Sequence, residues 1–167
     1  MQGGTNAQSL KSPYIRLMNL SSNISANVLT VAKYTSSSID TDYFEYNSTT
    51  GVITVKKDGA YLVTMSIACQ IANAGIVQIG FKWNTSSQYY YAHHYQEETT
   101  NNFTYQTTKI DQLSANDTIT PEMWASQTLT KSDAGRGNYF SMIYMGIKAG
   151  GGRKLSRLLR LLRRRGA

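Results

Sequence analysis

Gly59-Ala60-Tyr61-Leu62-Val63-Thr64-Met65-Ser66-Ile67-Ala68-Cys69 decides how the chain is read. Tyr61, Val63, Met65, Ile67 and Cys69 fall on one side by the two-residue period of a strand, and Leu62, Thr64, Ser66, Ala68 and Gln70 on the other. A helix would scatter these apolar positions around its axis, so the segment predicts a long strand with one face toward a core. Downstream, Val77, Ile79, Phe81 and Trp83 alternate with Gln78, Gly80 and Lys82 in the same way. Near the end of the body, Tyr139, Ser141, Ile143, Met145 and Ile147 alternate with Phe140, Met142, Tyr144, Gly146 and Lys148. Both sets are apolar there, which predicts a strand covered on both sides.

Weaker runs lie between these: 14–20, 28–34, 43–46, 52–55, 88–96, 103–110 and 118–124. Short strands about ten residues apart, with Gly, Asn, Asp and Ser between them and no helical periodicity before residue 153, predict an all-β antiparallel sandwich or barrel. Composition agrees. Twelve Tyr and eighteen Thr with two Pro favour strands, and 16% charged residues is too few for a helical bundle or coiled coil. With 167 residues the chain holds one domain plus appendages.

The net charge of +7 is concentrated at one end. Residues 1–152 carry ten Lys or Arg against ten Asp or Glu, whereas 153–167 carry seven and none. The chain therefore divides into a polar lead (1–13), a neutral body (14–149), a Gly linker (150–152) and a cationic tail (153–167). In the tail, Leu155, Leu158, Leu159 and Leu162 fall on one side of a helical wheel, and Arg153, Arg157, Arg160 and Arg164 lie opposite, with Arg163 and Arg165 adding charge. A short amphipathic helix is expected, at roughly 20 Å too short to cross a bilayer. It suits an anionic membrane surface, the groove of an acidic protein, or nucleic-acid phosphates. The leucine stripe favours the first two. The triglycine joint also fits an engineered fusion. No signal peptide or membrane-spanning run is read in the chain.

The segment from Tyr43-Phe44-Glu45-Tyr46 through Thr50-Gly51-Val52-Ile53-Thr54-Val55 to Asp58-Gly59-Ala60-Tyr61-Leu62-Val63 resembles a signature of the C1q/tumour-necrosis-factor (TNF) superfamily. Leu113-Ser114-Ala115-Asn116-Asp117 is similar to that family's Leu-x-x-Gly-Asp turn, with Asn116 in place of Gly. Tyr139-Phe140-Ser141-Met142-Ile143-Tyr144 is similar to its aromatic last strand. The resemblance covers about residues 14–148. It implies a ten-stranded jelly roll that assembles as a homotrimer, with Tyr61, Val63, Tyr139, Phe140, Met142 and Tyr144 in the trimer interface or core. It also implies a non-enzymatic recognition or assembly role, outside cells or on a particle surface. The alternative is a structural viral or phage capsid or fibre component whose basic tail contacts nucleic acid or a shell.

Chemistry-bearing clusters are sparse. Cys69 is the single cysteine, and His93 and His94, adjacent on a strand-like run, point to opposite faces and make a poor joint metal site. No catalytic constellation, metal, cofactor or small-molecule substrate is expected. The stretch from Gln88 to Gln96 is rich in tyrosine, and Tyr89, Tyr91, His93 and Tyr95 share one strand face. These residues either line a trimer axis or form a recognition surface, for which tyrosine supplies contact area at little entropy cost. Six Asn-x-Ser/Thr sequons occur, at Asn19, Asn23, Asn47, Asn84, Asn102 and Asn116. Turn demand for Asn accounts for these more simply than glycosylation.

Overall fold

A computed structural model describes residues 12–71, 74–84, 89–96, 99–131 and 137–146. In chain order the strands are β1 (Tyr14–Leu20), β2 (Thr30–Val31), β3 (Tyr34–Ile39), β4 (Phe44–Asn47), β5 (Val52–Val55), β6 (Gly59–Ile71), β7 (Gly75–Trp83), β8 (Tyr89–Gln96), β9 (Thr99–Leu113), β10 (Thr118–Ala125), β11 (Leu129–Lys131) and β12 (Tyr139–Tyr144). Every pairing is antiparallel. Sheet A runs β11-β6-β12-β1-β3, with β9 on the free side of β6. Sheet B runs β4-β5-β10-β7-β8, with β2 against β10. The chain crosses repeatedly between the sheets, which gives the jelly roll expected from the sequence.

The core lies between the sheets and is made by the alternation that the sequence displays. Tyr61, Val63, Met65 and Ile67 of β6, Val77, Ile79 and Phe81 of β7, and Phe140 and Met142 of β12 have no exposed surface. Phe81 meets Phe140 edge-on across the sandwich, with ring centroids 5.9 Å apart and planes at 78°. At one end Tyr61, Phe44, Tyr43 and Tyr144 form an aromatic cluster. The Tyr61 hydroxyl donates to the Lys57 carbonyl and that of Tyr144 to the Asp58 carbonyl, fixing the turn into β6. Tyr46 ties the sheets together: its hydroxyl accepts from the Tyr34 N–H at 2.9 Å and donates to the Tyr34 carbonyl.

Two glycines are required by their surroundings. Gly51 turns the chain into β5 at φ +79°, where a Cβ would come within 2.5 Å of a Val31 methyl. Gly137 lies against Ala68, and a Cβ there would come within 2.4 Å of the Ala68 Cβ. This contact sits at a gap in the β6 ladder, between the β12 pairing that ends at Ser66 and the β11 pairing that starts at Cys69. The buried Asn138 amide oxygen fills the gap by accepting from the Ala68 N–H at 2.7 Å.

Differences from the sequence expectation fall at sheet edges and ends. Twelve strands are described rather than about ten. The run 28–34 resolves into the two-residue β2 and the start of β3, whose Thr-Ser-Ser-Ser body carries no apolar alternation because it is an edge strand paired only with β1. The three-residue β11 is too short to show a period. β12 stops at Tyr144 instead of running to Ile147. The lead before residue 12, the linker and the helix expected from residue 153 lie outside the described residues.

Burial gives the core a pH signature. The Cys69 thiol, 1% exposed, is pushed up to about 12 by desolvation. Tyr61 is pushed up to about 12 by burial first, then by Tyr144, Tyr43 and Asp58 nearby. Tyr34 is raised for the same leading reason. Each raised acid binds its proton more tightly in the folded chain, so its contribution is fully present below the unfolded-state value and is lost as pH rises toward the folded one. The urea midpoint is therefore expected to hold to about pH 9 and to fall steadily between about 9 and 12. A midpoint that rises across that window would contradict the burial of these groups.

Candidate interaction faces

Directly paired residues of an antiparallel sheet share a face, so the register of sheet A defines what it presents outward. Ile110 of β9 pairs with Leu62 of β6, Leu62 with Ile143 of β12, and Ile143 with Tyr14 of β1. These four form an unbroken apolar row across four strands on the side away from the core. Ile110 is 58% exposed and Ile143 37%, while Leu62 and Tyr14 are half-buried. The next row is hydroxylic: Thr108, Thr64, Ser141, then Arg16 and Ser38. The Thr64 and Thr108 hydroxyls lie 3.2 Å apart in a hydrogen bond. Beyond it, Tyr139 pairs with Met18, and the Arg16 guanidinium sits 5.4 Å from the centre of the Tyr139 ring. A shallow groove of about 740 Å³ runs along β12 and β1 between Tyr14, Met18, Tyr139 and Ile143.

Of the six residues assigned from the sequence to the trimer interface or core, Tyr61, Val63, Phe140 and Met142 lie wholly inside the sandwich. Tyr144 is half-buried against Tyr43 and Tyr61, at ring-centroid distances of 4.8 and 5.3 Å. Tyr139 alone stands on the outer face. The outward-facing residues Tyr14, Leu62, Ile110 and Ile143 were not among the six. For β12 the signal was present, because both alternating sets are apolar and, among the described residues, only one of them is buried in the core.

Sheet B offers the second face. β8 is its edge strand and pairs with β7 without a slip over eight residues, setting Tyr95 opposite Ile76, His93 opposite Gln78, Tyr91 opposite Gly80 and Tyr89 opposite Lys82. The intervening β7 residues Val77, Ile79 and Phe81 belong to the core, so these register positions lie on the outer face. Across β7, Gln78 pairs with Trp124, Gly80 with Glu122 and Lys82 with Thr120 of β10. Trp124 is half-buried and Glu122 is 6% exposed. His94 pairs with Val77 and His93 with Gln78, which puts the two histidines on opposite faces.

Among the described residues no group of three or more His, Cys, Asp or Glu is placed to hold a metal ion, and no helix is long and apolar enough to cross a membrane. The asparagine-rich turns have a conformational cause. Asn19, Asn27, Asn84 and Asn116 all take positive φ, and they are the non-glycine residues that do so among the described residues. Three of them are sequon asparagines. Asn84 is also committed structurally: its side-chain oxygen accepts from the Thr118 N–H at 2.7 Å and its amide donates to Asp117 at 3.1 Å. Asn47 likewise accepts from the Thr49 and Thr50 N–H groups.

No family model matches the chain, and no curated protein matches it. Solved structures do. Crystal structures of murine APRIL match at a TM-score of 0.58, covering 81% of this chain and all of that chain: 12% identity for the structure at pH 8.0, 11% at pH 5.0 and 9% at pH 8.5. At that identity the likeness is one of architecture. The fold is a TNF-like jelly roll.

Proposed function

We propose that the protein is a non-enzymatic homotrimeric recognition or assembly module. The observation that carries the reading is the row Ile110–Leu62–Ile143–Tyr14, an apolar strip on a sheet face that the described residues leave partly exposed. Covering a large aliphatic side chain is worth about 1.5–3 kcal/mol, so such a strip favours burial against a partner surface. The partner proposed is a second and third copy, as the resemblance read from the sequence implies. In a ring of three, the exposed Ile110 at the β9 edge of one copy meets the β12–β1 groove of the next, a head-to-tail contact that closes. Six residues of the earlier assignment then divide into roles: Tyr139 belongs to the interface and the other five to the sandwich that supports it.

The tail is the second part of the proposal. Arg153, Leu155, Arg157, Leu158, Leu159, Arg160, Leu162, Arg163, Arg164 and Arg165 form an amphipathic peptide for an anionic membrane surface or an acidic partner. Assembly presents three copies, so weak individual contacts add through effective concentration. A body ending at Ala149 should keep its assembly state and lose binding to anionic vesicles, and the 150–167 peptide should gain helical circular dichroism on the same vesicles. Equal vesicle binding by the truncated body would remove the tail from the proposal.

A further inference from the structure

We propose that the groove along β12, β1 and β3 on the outer face of sheet A binds a small amphipathic monocarboxylate, with the Arg16 guanidinium as the carboxylate's partner. The inference goes beyond the function proposed above and does not rest on assembly.

Three adjacent strands build the site. Ser141 of β12 pairs with Arg16 of β1, and Arg16 pairs with Ser38 of β3. A guanidinium thus stands between two hydroxyl-bearing positions, each one strand spacing of about 4.8 Å away. The Tyr14 hydroxyl, hydrogen-bonded to that of Ser38 at 3.1 Å, and Ser12 extend the polar side of the lining. Arg16 is exposed, and its guanidinium lies 5.4 Å from the centre of the Tyr139 ring. That contact steadies the cation over one wall of the groove. Among the described residues no carboxylate pairs with it. Its planar fork of N–H donors is left to match the two oxygens of a carboxylate brought in from outside.

Charge and lining narrow the ligand class. Among the described residues at outward register positions of sheet A, Arg16 is the only charged one. Asp40 lies just past the end of β3, in an adjoining hollow with Pro13 and Ile39, and its carboxylate accepts from the Asp42 N–H at 3.2 Å. One base without a paired acid suits a single negative charge. A dianion would set an unmatched charge beside apolar side chains. The remaining walls, Tyr14, Met18, Tyr139 and Ile143, suit an apolar body attached to that charge. The groove volume of about 740 Å³ falls within the range of about 300–1,000 Å³ usual for small-molecule sites. Placement on three paired strands holds the guanidinium, the hydroxyls and the walls at fixed spacing.

The test titrates the full chain with octanoate and with cinnamate, a flexible and a flat monocarboxylate, and with the neutral octanamide and cinnamamide. The readout is the side-chain N–H signal of Arg16 and the methyl signals of Met18 and Ile143, which report the groove whatever the cationic tail binds. The host is Ile110→Lys, whose substitution lies outside the groove and removes the neighbouring copy's isoleucine from it. At least one carboxylate is expected to saturate with a dissociation constant at or below about 1 mM. Its amide should bind at least about tenfold more weakly. Adding Arg16→Gln, which changes an exposed side chain and leaves the core alone, should weaken the carboxylate by a similar factor, and Arg16→Lys should fall between. No saturation by either acid overturns the inference, as does equal binding of acid and amide or binding that Arg16→Gln leaves intact. Wild type then separates this inference from assembly. Weaker binding by the assembled chain means that carboxylate and neighbouring copy share the groove; equal binding at an unchanged mass keeps the carboxylate site and removes the groove from the contact between copies.

Discussion

Replacing Phe140 with Ala is expected to lower the unfolding free energy by about 3–5 kcal/mol, the range for deleting a buried phenyl ring. Phe140 has no exposed surface, pairs with Met65 on one side and Leu17 on the other, and meets Phe81 across the sandwich. Phe81 in turn packs edge-on against Trp83 at 5.7 Å. Removing the ring therefore opens a cavity where both sheets touch, and stiff β-strands cannot collapse into it. Against a total stability of about 5–15 kcal/mol for a domain, this is a large fraction. Phe140→Leu keeps most of the volume and should cost about 1.5 kcal/mol or less. Urea unfolding at one fixed protein concentration, which holds any association term constant, checks both. Equal midpoints for Ala and wild type would mean that Phe140 is not a core residue.

The second large effect separates assembly from folding. Ile143→Lys should leave the single chain folded, because the side chain is already 37% exposed and an ammonium there reaches water. In an assembled ring the same lysine is buried without a partner. Leaving a charge so costs about 3–5 kcal/mol, which corresponds to a rise of at least about a hundredfold in the subunit dissociation constant. Ile110→Lys, at the other end of the same row, should act alike. Thr49→Lys adds the same charge on an exposed turn and should change nothing. Sedimentation at several concentrations reads the outcome. If Ile143→Lys and Thr49→Lys sediment alike, the apolar row is not the contact.

The long strands were legible because burial imposes a period that residue chemistry displays. Tyr61 to Cys69 and Val77 to Trp83 alternate cleanly, and each inward member is buried. The turn into β5 was legible at Gly51, where only glycine tolerates both the positive φ and the Val31 methyl. β3 was hidden because an edge strand has few neighbours to satisfy, so Ser36, Ser37 and Ser38 serve as well as apolar residues. The interaction face was half legible. In β12 the doubly apolar pattern announced a second covering surface, yet parity alone does not say which set faces the core, and Tyr139 was grouped with Phe140 and Met142. Ile110 was hidden differently: it is a lone aliphatic in Thr-Thr-Lys-Ile-Asp-Gln, and its meaning emerges only when register sets it beside Leu62 and Ile143. Likewise the aromatic series of β8 was visible, whereas Trp124, Glu122 and Gln78 joined it only through pairing across two strand boundaries.

Assembly through sheet A sets the solution mass of the full chain. Light scattering in moderate salt, which screens the tail's charge, should give about three times the chain mass of 18.6 kDa. That mass should persist in the body ending at Ala149. A single-chain mass at micromolar concentration would contradict assembly through this face, leaving a TNF-like sandwich whose apolar row meets something other than its own copies.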